Sequence, residues 1–127
     1  MTSRILVVDD EPCLLQIIEA ALKKDGFAVT ACLGGELALE RAAECPPHLI
    51  IMDLVMPGLD GSETLRYMRQ LPALREVPII LLASGGHLRA QFGPEGFGAQ
   101  AVLTKPFNPN QLLDEVRRLL TARLAAA

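Results

Sequence analysis

Three short apolar runs, each closed by a charged residue, constrain this 127-residue chain more than any other feature. Ile5-Leu6-Val7-Val8 stops at Asp9-Asp10, Leu49-Ile50-Ile51-Met52 at Asp53, and Ala101-Val102-Leu103-Thr104 at Lys105. Runs of this length read as buried strands, and strands buried on both faces are those of a parallel sheet. In such a sheet the strand ends share one edge, and ligands of open α/β folds bind in the crevice there. Three carboxylates and one ammonium, far apart in the chain, are thereby expected to meet in one pocket.

Helical patterns fill the intervals. The first follows Asp10-Glu11-Pro12, with Asp10 expected as its cap and Pro12 in its first turn. Leu14, Leu15, Ile17, Ile18, Ala21 and Leu22 form its apolar face, and Asp25-Gly26 ends it. Residues 27–32 read as a second strand. Gly34-Gly35 opens a second helix that Pro46-Pro47 closes. A third helix is expected over about 62–71, with Asp60 and Glu63 at capping-box spacing. Pro78 starts a fourth strand running to Ala83, and Asn108-Pro109-Asn110-Gln111 starts a last helix whose Leu112, Leu113, Val116, Leu119 and Leu120 cover the sheet. The alternation gives an α/β fold of (βα)5 type, a doubly wound five-stranded parallel sheet in one domain over residues 1–127. Residues 85–98 hold five glycines and a proline where a fourth helix belongs. Glycine costs about 1 kcal/mol and proline about 3 in a helix interior, so that helix is expected to be short or irregular, roughly 87–92.

Half of the residues are apolar, yet no apolar stretch approaches the roughly 18 to 20 residues of a membrane span. Met1-Thr2-Ser3-Arg4 runs straight into a strand without the pattern of an export signal. Cys13, Cys32 and Cys45 are odd in number and widely spaced, which suits reduced cytoplasmic thiols better than a disulfide framework or a zinc site. A net charge of -3 supplies no electrostatic footprint for nucleic acid.

The expected pocket calls for a cation. Two carboxylates about 5 Å apart repel by roughly 3 kcal/mol at an effective dielectric near 20, so three of them either hold a proton or attract positive charge. Magnesium fits, because it takes one or two carboxylates and leaves other positions to water and phosphate oxygens. The lysine then serves as a point charge for phosphate.

Val7-Val8-Asp9-Asp10-Glu11, Met52-Asp53-Leu54-Val55-Met56-Pro57-Gly58-Leu59-Asp60-Gly61 and Leu103-Thr104-Lys105-Pro106-Phe107 together resemble the response-regulator receiver domains of two-component signalling, over essentially the whole chain. The resemblance implies strand order 2-1-3-4-5 and a phosphoacceptor role for Asp53, loaded from a phosphohistidine on a sensor histidine kinase or histidine phosphotransfer protein. It implies that Asp9 and Asp10 hold Mg2+ with Asp53 and the Val55 backbone carbonyl, that Lys105 pairs with Asp53 and its phosphate, and that the Lys105–Pro106 bond is cis. Such a domain is a signalling phosphoacceptor that assists its own phosphorylation and dephosphorylation and is not counted an enzyme. Its output is contact with a downstream protein or a fused output domain, with neither nucleic acid nor membrane as a direct partner.

Two positions depart from the family pattern. Members usually carry Thr or Ser at the end of the fourth strand and often an aromatic residue three before the lysine; here those places fall on Ala83 and Val102. Ser84 lies one residue late, and a one-residue shift in a strand reverses the side chain unless a bulge restores it. With Ala83 in that place, the glycine-rich segment from Ser84 onward is the expected substitute, ordered by phosphate. The rival reading is a constitutive protein-binding module that no longer switches. A phosphatase of small substrates is disfavoured because Val55 stands where its general acid belongs. His48 and His87 read as solvated loop residues, and Arg117 and Arg118 as complements to the dipole of the last helix ahead of a partner surface.

Overall fold

The computed structural model describes residues 2–54, 61–84 and 99–126. Strands β1 (Arg4–Val8), β2 (Ala28–Cys32), β3 (Leu49–Asp53), β4 (Ile79–Ser84) and β5 (Ala101–Lys105) form one parallel sheet in the order β2-β1-β3-β4-β5. Four α-helices are present among the described residues: α1 (Pro12–Lys24), α2 (Gly35–Glu44), α3 (Gly61–Gln70) and α4 (Pro109–Ala126). The expected short helix over 87–92 and the Asp60–Glu63 capping box involve positions outside the described residues.

Side chains alternate strictly between two cores. Ile5, Val7, Leu49, Ile51, Ile80 and Leu82 pack with Leu15, Ile18 and Leu22 of α1 and with Leu112 and Val116 of α4. Leu6, Val8, Ile50, Met52, Leu81 and Ala83 pack with Ala38 and Ala42 of α2 and with Leu65 and Met68 of α3. Period-two geometry on a sheet covered on both faces requires this division, and it explains why β3, with all five residues buried, shows no polar alternation. Among the described residues no helix is long and apolar enough to cross a membrane.

Helix ends follow local chemistry. The amide of Gly26, at φ +94, donates to the Lys23 carbonyl and that of Phe27 to the Leu22 carbonyl, a Schellman closure that only glycine enters without strain. This bond holds Phe27 to the helix, so β2 begins one residue later than the sequence suggests. Helix α4 opens with reciprocal caps: Asn108 Oδ1 accepts the Asn110 amide at 2.8 Å, and Gln111 Oε1 accepts the Asn108 amide at 3.0 Å.

Three expectations are corrected. Glu11, not Asp10, is the N-cap residue of α1, and it makes no side-chain cap; Asp9 Oδ1 instead accepts the Glu11 amide at 2.9 Å. His48 is no solvated loop residue: its Nδ1 accepts the Arg4 amide at 2.8 Å, while its carbonyl accepts from Arg123 at 2.7 Å. Burial, with Arg4 and Arg123 adding to it, holds the imidazole below its ordinary pKa and so keeps Nδ1 an acceptor. Arg117 lies well inside α4 and forks onto Asp25 at 2.6 and 2.9 Å, tying α4 to the end of α1, and Arg118 pairs with Glu115. Carboxylates within reach of both guanidinium groups outcompete a helix dipole whose effect is confined to the last turn.

Candidate functional site

The strand register brings the candidate residues to one edge. Val8 pairs with Cys32 and Met52, Asp53 with Leu82, and Ser84 with Lys105, so the C-terminal ends of the strands lie together. Extending the period-two alternation puts Asp9 after Val7, Asp53 after Ile51 and Lys105 after Leu103, all on the face that carries α1 and α4. Strands β3 and β5 are two strand spacings apart, about 10 Å, a gap the lysine stem spans.

Lys105 Nζ lies 3.1 Å from Asp53 Oδ2, 3.3 Å from Asp9 Oδ2 and 3.3 Å from Glu11 Oε1. Asp9 is fully buried and Asp53 is 4% exposed, whereas the Glu11 side chain is 62% exposed at the rim. Burial pushes the Lys105 pKa down, but the hydrogen bond it donates to Asp53 and the attraction of Asp53 and Asp9 together outweigh it, leaving the ammonium above its ordinary value. Asp10 is half-buried beside this group. Carboxylate oxygens of Asp9, Asp10, Glu11 and Asp53 all fall within 4.8 Å of one another.

This donor set fits a hard divalent cation. Asp9 Oδ2 is buried and has no aligned hydrogen-bond donor, since Lys105 approaches it at ion-pair distance only. A buried charged oxygen left in that condition is costly in a metal-free pocket and is satisfied by direct or water-bridged coordination. Val55, the expected carbonyl ligand, lies outside the described residues. Lys105–Pro106 is cis, as the family resemblance implies.

Sequence reasoning passed over Glu11 as a participant. Its place at the start of α1 masks it, although it continues the acidic run of Asp9 and Asp10. Ala83 is buried in the core that also holds Leu81 and Met52, and Val102 packs on the same core, so these two positions share a face. The backbone of Ser84 closes β4 opposite Lys105, and its side chain lies outside the described set. A groove of about 450 Å³ opens beside the pocket, lined by Glu11, Leu14, Ile17, Lys105, Pro106 and Phe107.

The family model "Response regulator receiver domain" matches residues 5–117. The chain is 36% identical over 126 residues to "Response regulator PleD" of Caulobacter vibrioides, covering 98% of this chain and 27% of that protein. It is 32% identical over 114 residues to "Protein PilG" of Pseudomonas aeruginosa, covering 90% of this chain and 84% of that one. Among solved structures, the receiver domain of sensor histidine kinase PA1611 from Pseudomonas aeruginosa PAO1, described with a magnesium ion coordinated in its active-site cleft, superposes with a TM-score of 0.86 at 30% identity, covering 95% of this chain and 99% of that one. Against several curated relatives the chain spans only about a quarter to a half of their length, from 27% to 53%.

Proposed function

The chain belongs to the response regulator receiver domain family, and on that premise we propose that it accepts a phosphoryl group on Asp53 from a phosphohistidine of a sensor histidine kinase or phosphotransfer protein. The observation that carries this reading is the Lys105 ammonium 3.1 Å from a buried Asp53 carboxylate, inside a four-carboxylate cluster. Asp9, Asp10 and Asp53 would hold Mg2+, with the Val55 carbonyl as a further ligand. When bound, the ion neutralises the cluster and polarises phosphoryl oxygens.

The remaining steps belong to the chain. Asp53 supplies a carboxylate oxygen that attacks phosphorus in line as the phosphorus–nitrogen bond of the donor breaks and its imidazole keeps the electron pair. Lys105 follows the charge from the carboxylate onto the phosphoryl oxygens, so no proton has to move at the acceptor. The donor histidine must reach Asp53, and the apolar groove along α1 that ends at Lys105 gives its protein a surface to lie on. The domain spans residues 1–127 and acts as a cytoplasmic signalling phosphoacceptor rather than an enzyme, its output a contact with a downstream protein or output domain. Ala83 and Val102 provide neither the hydroxyl nor the ring of the usual coupling, so the phosphate signal leaves by another route.

Incubation with acetyl phosphate and magnesium, followed by intact mass measurement, tests the reading. One phosphoryl group per chain is expected, lost on chelation and in Asp53→Asn. No gain from acetyl phosphate or from any histidine donor returns the protein to the class of constitutive binding modules.

A further inference from the structure

The Glu11 carboxylate is unexplained by the start of α1. Glutamate is not a favoured N-cap type, and this one makes no side-chain cap. Its backbone is nonetheless fixed at both ends, the amide donating to Asp9 Oδ1 at 2.9 Å and the carbonyl accepting the Leu15 amide at 3.0 Å. The side chain is thus held at the mouth of the pocket, where Oε1 accepts a hydrogen bond from Lys105 Nζ at 3.3 Å.

Lys105 has three donor hydrogens and three carboxylates around it. Asp53 is buried within β3, and Asp9 is buried just past β1 with its amide donating to the Cys32 carbonyl, so a phosphoryl group arriving on Asp53 gains the ammonium most readily at the expense of the third. Glu11 is the partner that can turn into water with little loss. Its charge also faces any anionic donor entering the pocket.

We propose that Glu11 is a positioning residue that withholds Lys105 from an incoming phosphoryl group until it is displaced, and so restrains loading from small phosphodonors. This rests on the phosphoacceptor reading of Asp53. In the step concerned, an Asp53 oxygen bonds to the phosphorus of acetyl phosphate, the bond from phosphorus to the acetyl oxygen breaks, and acetate leaves with the electron pair.

Glu11→Asp separates reach from charge, since it keeps the carboxylate but falls one methylene short of Lys105. Loading of wild type, Glu11→Asp and Glu11→Gln by acetyl phosphate is followed by intact mass at saturating magnesium, with magnesium affinity measured separately by calorimetry on the unphosphorylated proteins. Glu11→Asp is expected to load roughly twofold to fivefold faster than wild type, the range spanned by an exposed ion pair. Glu11→Gln should load faster still, and Glu11→Asp should bind magnesium as wild type does. Wild-type loading by Glu11→Asp overturns the proposal in favour of bulk charge alone, and a magnesium affinity lowered about tenfold in that variant overturns it in favour of a metal ligand. Absence of loading in wild type and in both variants, from acetyl phosphate and from histidine donors alike, overturns both this proposal and the phosphoacceptor reading, whereas loading of wild type with Glu11→Asp unchanged overturns this proposal only.

Discussion

Lys105 pairs with Asp9, Glu11 and Asp53, so its removal takes a positive charge from beside two buried carboxylates. Lys105→Met is expected to destabilise the metal-free protein by about 2 kcal/mol, below the full range for a buried pair because the pocket is partly open. Magnesium should recover more stability in this variant than in wild type; equal denaturant midpoints for the two metal-free proteins would contradict the assignment. Because the lysine is raised in the fold, its stabilisation is complete below the ordinary value of 10.5 and disappears as pH rises through the higher folded value. The gap between wild type and Lys105→Met should therefore close at alkaline pH. His48 works in the opposite direction. Its folded pKa is depressed, so its contribution is present above 6.5 and lost as pH falls through the folded value. His48→Gln, which keeps an acceptor for the Arg4 amide but cannot protonate, should flatten the fall in thermal midpoint between neutral and mildly acidic pH.

Two fastenings outside the pocket govern how well the elements hold it. Arg69 of α3 donates to the carbonyls of Leu74, Arg75 and Val77 at 2.8 to 3.0 Å, while Gln100 Oε1 accepts the Ile79 amide at 2.7 Å, so the approaches to β4 and β5 are pinned together. Arg69→Ala should cost about 2 kcal/mol by taking a charged donor away from the part-buried carbonyls of Leu74 and Val77, read as a shifted urea midpoint at constant slope. Asn108→Ala should cost about 1 kcal/mol by removing one half of the α4 cap. The α4 start was legible because Asn108-Pro109-Asn110-Gln111 encodes it locally. The Arg69 clamp was not, because its acceptors are backbone carbonyls whose convergence depends on the turn after α3. The same limit explains His48 and Arg117: a histidine after two prolines and an arginine inside a helix carry no local mark of partners 44 and 92 positions away. Asp10 failed as a cap because the helix starts one residue later, after Glu11, whose amide the buried Asp9 holds.

Across the molecule, the fold and most of the site were readable because one physical rule generates both. Apolar runs that must be buried on two faces make a parallel sheet, and the polar residue that ends each run is delivered to the same edge. Asp9, Asp53 and Lys105 were found in this way, whereas strand order came from family resemblance, since run lengths alone permit several orders. Glu11 escaped because it stands beyond the strand end, where side-chain direction is set by a turn rather than by alternation. A pocket strained by like charges should gain from its ion: magnesium at about ten times its dissociation constant should stabilise wild type by about 1.4 kcal/mol. Asp10→Asn should lose most of that response in a thermal scan. The most direct measurement is to locate the phosphoryl group itself, by reducing the acyl phosphate with borohydride after loading and sequencing the peptides. Homoserine at position 53 alone, dependent on magnesium and on Lys105, is the expected result; homoserine at position 9 or 10, or none under any donor, would contradict it.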